Sequence, residues 1–293
     1  MPEGRIIKAL SGFYYVQTPQ GLYQCRGRGV FRNRNITPLV GDFVTFDVRE
    51  GKEGYITEIM DRTNELIRPP IANITQAIIV SSAVMPDFST ILLDRFLVLI
   101  ESKGITPIIF ITKTDLINDE QMKSLIKYKK EYEQIGYRIE LFSSKDPEDI
   151  DYIKGFLKDH VTVIAGQSGV GKSSLINTLS PDTQLKTADI SKSLGRGKHT
   201  TRHVELIEIN GGLVADTPGF SALDFDEIDA EELSNCFPEM VERMNECKFR
   251  GCLHAKEPKC AVKSAVENEE IPSYRYSHYI SFLEEIQSRK PRY

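Results

Sequence analysis

Short stretches in which apolar and polar residues alternate fill the first part of the chain. Residues 5–10, 13–18, 22–25, 43–48 and 55–59 are rich in β-formers. Turn signals such as Pro19-Gln20-Gly21 and Glu50-Gly51 separate several of them. So many short strands in so little chain predict a small closed barrel, because closure removes exposed edges. After Pro69-Pro70, which reads as a linker, the rhythm changes. Apolar runs at 77–80, 108–111, 138–142 and 161–165 have the look of buried parallel strands. Helical stretches lie between them near 90–103, 120–134 and 148–158; the first has Ser89 as a cap and Gly104 just past its end. The alternation predicts a doubly wound α/β sheet. Further on, 204–209 and 212–215 flank Asn210-Gly211, a strong hairpin signal. Past residue 225 the chain turns acidic, then cysteine-bearing, then helical. Tyr276, Tyr279, Ile280, Leu283 and Ile286 form the stripe of a terminal helix packed on a neighbouring domain. The expected division is 1–68, 69–225 and 226–293.

Composition narrows the class. With 27% charged and 40% hydrophobic residues, the chain is neither disordered nor built for a bilayer. No apolar run approaches the ~18 residues of a spanning helix. The first residues lack the apolar core of a signal peptide, so the expectation is a cytoplasmic protein without membrane contact; a monomer is expected as well. The formal charge of −5 excludes a uniformly basic surface but not a basic patch. Between Gly4 and Gly41 every charged residue is Lys or Arg, and Arg26, Arg28, Arg32 and Arg34 cluster around Phe31. That cluster is either an RNA-facing surface or a loop with solvated charges.

Gly166-Gln167-Ser168-Gly169-Val170-Gly171-Lys172-Ser173 satisfies G-x-x-x-x-G-K-[ST], with a strand before it and a helix over 173–179 after it. Glycines let backbone N–H groups converge on phosphate oxygens, and the helix start adds partial positive charge. Lys172 is placed to reach the β- and γ-phosphates, and Ser173 to ligate Mg²⁺. Asp216-Thr217-Pro218-Gly219 ends another apolar strand, where Asp216 can hold the Mg²⁺ shell and the Gly219 N–H can sense a γ-phosphate. Between these lies Gly195-Arg196-Gly197-Lys198-His199-Thr200-Thr201, a polar segment suited to ordering around a nucleotide. Either Thr200 or Thr201 could supply a further Mg²⁺ ligand.

Thr112-Lys113-Thr114-Asp115 follows the strand at 108–111 and matches [NT]-K-x-D. A carboxylate at Asp115 can accept from guanine N1–H and N2–H₂, donors that adenine lacks, so an adenine there would leave it unpaired. Lys113 would lie along the base. Ser143-Ser144-Lys145, also just after a strand, resembles the S-A-K element that meets guanine O6. GTP is therefore favoured over ATP. The order is inverted, because the base elements precede the phosphate loop. Joining old termini and cutting elsewhere leaves such a site intact, and it makes residues 216–219 feed directly into the C-terminal segment.

Near the C-terminus, Cys247, Cys252, His254 and Cys260 form C-x₄-C-x-H-x₅-C. Three thiolates and an imidazole make a closed tetrahedral zinc site, structural rather than catalytic. Lys248, Arg250, Lys256, Lys259 and Lys263 surround these ligands, as a phosphate-facing knuckle would.

On the permuted motifs, the 195–201 segment, residues 216–219 and the cysteine–histidine cluster, the chain resembles the bacterial family of circularly permuted, ribosome-small-subunit-dependent GTPases. The resemblance implies an N-terminal OB-type barrel, a permuted GTPase domain with nucleotide contacts at Thr112–Asp115 and from Gly166 to Ser174, and a mainly helical zinc-binding domain. It also implies action in late maturation of the 30S subunit, with rRNA bound by barrel and zinc domain and hydrolysis slow until the subunit docks. Thr112 stands where many GTPases have Asn. Phe220 stands where many carry a water-orienting glutamine, and the resemblance favours His199 as its replacement; a phosphate- or RNA-facing histidine is the other reading. Two other functions remain open on sequence: a GTP-gated RNA-binding module whose hydrolysis only resets it, and a metabolic GTP enzyme, for which no second substrate chemistry is visible.

Overall fold

Strands β1 (Glu3–Leu10), β2 (Phe13–Thr18), β3 (Gly21–Gly27), β4 (Phe43–Val48) and β5 (Glu53–Ile59) form where alternation places them. The computed structural model describes residues 1–29, 31, 36–48, 53–67, 69–143, 147–179, 204–216 and 223–289. Pairing runs β1–β2–β3–β5–β4 and returns from β4 to β1, so the barrel closes as expected. Every second residue points inward, and Ile6, Val16, Cys25, Val44, Phe46 and Ile56 are fully buried there.

After the barrel come β6 (Glu65–Leu66), β7 (Ile71–Ala72), β8 (Gln76–Ser82), α1 (Thr90–Glu101) and β9 (Thr106–Thr112). A 3₁₀ turn (Thr114–Leu116), α2 (Asp119–Ile135), β10 (Arg138–Leu141), α3 (Pro147–Gly155), β11 (Val161–Ala165) and α4 (Lys172–Leu179) follow. Then come β12 (Val204–Ile209), β13 (Gly212–Asp216), α5 (Pro238–Val241), α6 (Ala261–Glu267) and α7 (Ser273–Gln287). The expected linker at Pro69-Pro70 is corrected here. It lies in the connection between β6 and β7, which pair antiparallel. Ile71 and Ala72 are fully buried, and Ala72 N–H donates to Val40 O at 2.9 Å. Gly41 is required beside it: its φ is +95°, and a Cβ would stand 2.0 Å from Ala72 O.

The chain divides into two compact units, Met1–Ile78 with Ser144–Ser221 and Ile79–Ser143 with Ala222–Tyr293. In the first unit, β1 also pairs antiparallel with β12, with Lys8 opposite Glu205, and β12 pairs with β13 through the expected hairpin. Its turn residues Asn210 and Gly211 have φ of 51° and 75°, the left-handed pair that a tight hairpin needs. β13 runs parallel to β11, with Leu213 opposite Val161 and Val214 opposite Thr162.

In the second unit β9 and β10 are parallel. Ser89 caps α1 by accepting from Leu92 N–H at 3.4 Å. Asn118 and Gln121 form a reciprocal capping box on α2. The C-terminal elements close on α1 around Val98, Phe225, Leu233, Phe237, Met240, Tyr279, Phe282 and Leu283. The predicted stripe on α7 is displaced. Tyr279, Leu283 and Ile286 are buried, but Arg275 and Phe282 share that face, while Tyr276 and Ile280 are only partly covered.

Arg275 is fully buried, and its charge is met on two sides. It donates to Asp94 at 2.5 Å and, from two nitrogens, to Glu239 at 2.8 and 3.1 Å. Asp94 also accepts from Tyr132 at 2.6 Å and lies 2.6 Å from His278 Nδ1. The surrounding carboxylates raise the Arg275 pKa well above its ordinary value against the opposing effect of burial. This network ties α1, α2, α5 and α7 together.

Candidate nucleotide and metal sites

The phosphate-loop sequence folds as strand, loop and helix. β11 is buried along its whole length and delivers Gly166; α4 starts at Lys172. Gly166, Gly169 and Gly171 have φ of 139°, 85° and 101°. Side chains rarely adopt that backbone region, which explains why the loop needs glycine at these points. Lys172 donates its ammonium to the carbonyls of Gly166 and Gln167, each at 2.7 Å, so the cation is held against the loop. Burial lowers its pKa. Gln167, Ser168, Gly169, Ser173 and Ser174 are exposed, and Val170 is buried beneath them. The parallel register sets the C-terminal end of β13, where Asp216 stands, on the side of β11 that leads into this loop.

The base-motif residues lie at the end of β9 in the second unit. Thr112 is buried; its hydroxyl donates to Ser81 O at 3.2 Å, and its carbonyl accepts from Ala83 N–H at 2.9 Å. Lys113 has a φ of 60°, and Thr114 and Asp115 form the following 3₁₀ turn. The Ser143 hydroxyl donates to Asp115 Oδ1 at 3.2 Å, which brings the two predicted base elements together. Sequence reasoning missed Met85, whose carbonyl accepts from the Lys113 ammonium. No residue-type signal could have shown it, because the contact is to backbone. Ser144, Lys145, the segment 195–201 with His199, Thr200 and Thr201, and Gly219 lie outside the described residues, as do Phe220, Arg32 and Arg34.

Cys247, Cys252, His254 and Cys260 converge, their candidate ligand atoms all lying within 4.8 Å of one another. His254 Nδ1 is 3.2 Å from Cys260 Sγ and 3.6 Å from Cys247 Sγ, and those two sulfurs are 3.9 Å apart. Such spacings suit donors arranged about one tetrahedral ion with bonds of roughly 2.0–2.3 Å. Burial lowers the His254 pKa, which favours the neutral imidazole that a metal requires. Neighbouring groups brace the knuckle. Tyr276 donates to His254 O and Tyr279 to Leu253 O, each at 2.7 Å. The Glu257 carboxylate accepts from Leu253 and Ala255 N–H at 2.9 and 3.0 Å. The residues therefore fit a structural zinc ion.

A glycine-rich phosphate loop on one strand end, a Thr-Lys-x-Asp turn on another, and the second preceding the first define a circularly permuted P-loop GTPase with an N-terminal five-stranded barrel. Comparison with known proteins agrees. The RsgA GTPase family model matches residues 59–226, and the RsgA N-terminal domain model matches residues 3–56. The chain belongs to the RsgA GTPase family. It is 67% identical to small ribosomal subunit biogenesis GTPase RsgA 2 of Oceanobacillus iheyensis over the full length of both chains. It is 60% identical to small ribosomal subunit biogenesis GTPase RsgA of Bacillus subtilis, again over the full length of both. Among solved structures it resembles YloQ, a circularly permuted GTPase, with TM-score 0.87 and 56% identity, covering 100% of this chain and 97% of that one. It also resembles YjeQ from Thermotoga maritima, with TM-score 0.87 and 34% identity, covering 98% and 99%.

Proposed function

We propose that this GTPase acts in the late assembly of the small ribosomal subunit, in the cytoplasm and as a monomer. In this reading residues 1–68 and 226–293 hold rRNA, and 69–225 form the GTPase between them. The observation that carries it is full-length similarity at 60–67% identity to GTPases named for small-subunit biogenesis. A further support is that no described helix is long and apolar enough to cross a membrane.

Residues 166–174 wrap the GTP phosphates, and Lys172 moves its ammonium from the loop carbonyls onto the β- and γ-phosphate oxygens. Ser173 and Asp216, with Thr200 or Thr201, would hold Mg²⁺, which supplies charge neutralisation at those oxygens. Thr112, Lys113, Thr114 and Asp115 read the guanine, with Ser143 holding the Asp115 carboxylate and Ser144 and Lys145 completing the rim. Water attacks the γ-phosphorus, the bond to the β-phosphate oxygen breaks, and GDP and phosphate leave. His199 orients that water, and the Gly219 N–H senses whether the γ-phosphate is present. Cys247, Cys252, His254 and Cys260 would hold one zinc ion that fixes the knuckle.

The test is GTP turnover with and without 30S subunits, together with co-sedimentation under GTP analogue, GDP and no nucleotide. Slow turnover alone, accelerated by 30S, and association favoured by the analogue are expected. Turnover indifferent to 30S and no association in any state would refute the assembly role. Asp115→Asn should exchange GTP for xanthosine triphosphate as the preferred nucleotide, and His199→Ala should lower stimulated turnover with GTP affinity nearly unchanged.

A further inference from the structure

Phenylalanine seldom stands in water without a reason, and among the described residues two are exposed, Phe43 at 41% and Phe249 at 44%. Phe43 is covered on one face by the Arg5 guanidinium, 4.2 Å from the ring centroid. Phe249 has no other aromatic ring against it among the described residues; its recorded companion is the Lys248 ammonium, 5.3 Å away. It sits on the knuckle, two positions after Cys247 and directly before Arg250.

Along residues 247–264 the charge is one-sided, while Glu246 precedes them and lines, with Glu242 and Glu270, a cavity that Lys259 also borders. Between Cys247 and Ser264 the cations are Lys248, Arg250, Lys256, Lys259 and Lys263, and the single acid is Glu257. Glu257 spends its carboxylate on the knuckle's own N–H groups. None of the five cations pairs with a carboxylate among the described residues, whereas Lys8, Arg28, Arg62, Lys103 and Arg243 all do. The knuckle backbone is tied at three points: Lys248 N–H donates to Lys259 O at 3.3 Å, and Tyr276 and Tyr279 donate from α7 to the carbonyls of His254 and Leu253.

From these observations we infer that Phe249 is a stacking platform for an unpaired nucleobase, with Lys248 and Arg250 taking the phosphates on either side. The partner is single-stranded RNA rather than duplex, because paired bases offer no free face. This rests on the rRNA-binding reading above and sharpens it to one side chain. Stacking contributes affinity without releasing counterions, while the two cations contribute the salt dependence.

That difference supplies the test, made on the full chain with zinc bound. The chain has no tryptophan, so Phe249→Trp installs a single reporter. Its emission should be quenched by single-stranded oligouridine and left unchanged by an RNA duplex of equal charge. Phe249→Ala should weaken oligouridine binding about five- to hundredfold with its salt slope intact. Replacing Lys248 and Arg250 by alanine should lower that slope by about 1.4. An unquenched tryptophan together with unchanged affinity in Phe249→Ala overturns the platform. So does a Phe249→Ala defect seen with 30S subunits but not with oligouridine, since the ring would then face a protein. If the unmodified chain fails to sediment with 30S subunits, the assembly role falls, and the oligouridine measurements still decide the ring.

Discussion

In the barrel unit Arg28 is ion-paired with Asp47, Arg62 with Asp42 and Lys8 with Glu205. Arg26 lies over the Phe13 ring at 4.6 Å. Around the cysteine–histidine cluster, Lys248, Arg250, Lys256 and Lys259 are exposed and meet no carboxylate among the described residues. Both regions are basic when read along the chain, yet their positive charge is differently available. The two also differ in what holds them. The barrel closes over an apolar interior, with Asp42 as its fully buried carboxylate. The C-terminal region depends on a metal-ready donor set and on Asp94, Glu239 and Arg275, buried together. Free surface charge therefore has to be read from partners and not from counts.

Metal removal should break this comparison most visibly. A chelator or Cys252→Ser should take zinc from about one per chain to near none, with the loss of binding free energy on the order of 10 kcal/mol. Limited proteolysis should then cut the C-terminal region and spare the barrel. Zinc affinity should also fall as pH is lowered. Burial raises the Cys252 and Cys260 thiol pKa values, so the empty site is protonated at neutral pH and each thiolate formed releases a proton. Competition against a chelator across pH checks the sign; affinity that rises on acidification would contradict it.

Arg275→Ala comes next, because it leaves Asp94 and Glu239 buried without their cation. A loss of about 3–5 kcal/mol is expected in denaturant unfolding of the C-terminal region. Phe46→Ala should cost the barrel a similar ~3–5 kcal/mol through the cavity it opens, with no sensitivity to chelator. If chelation deepened the Phe46→Ala defect, the two regions would not be independent in the way their interiors suggest. The smallest effect belongs to Arg28→Ala. Its ion pair is roughly half exposed, with side-chain accessibilities of 48% and 42%, so at most about 1 kcal/mol should be lost. It should also lower the salt slope of RNA binding less than loss of Lys248 or Arg250, since Asp47 already neutralises it.

The site was legible to different depths. The strand, loop and helix at 161–179 could be read because the glycines that permit positive φ at 166, 169 and 171 are visible as letters. The two base motifs could each be read, but the Ser143–Asp115 bond between them, across 28 residues, could not. The Lys113–Met85 contact left no trace, because it ends on a carbonyl. Phe249 stood in plain view between Lys248 and Arg250, but its exposure was not legible; an aromatic residue near cysteines reads equally well as core.

Short-range physics accounts for what the sequence determined alone. Strand alternation, the Asn210-Gly211 turn, the cap at Ser89, and the spacing of Cys247, Cys252, His254 and Cys260 all act over a few residues. Tertiary structure decided the rest, because its terms join positions that no local pattern links. Arg275 faces Asp94 across 181 residues and Glu239 across 36, so a cation on a terminal helix becomes fully buried. Pro69-Pro70 became a turn, and not a linker, because Ile71 and Ala72 gained more by burial against the barrel than by staying in water. Which cations remained free for a partner followed last, once folding had assigned the carboxylates.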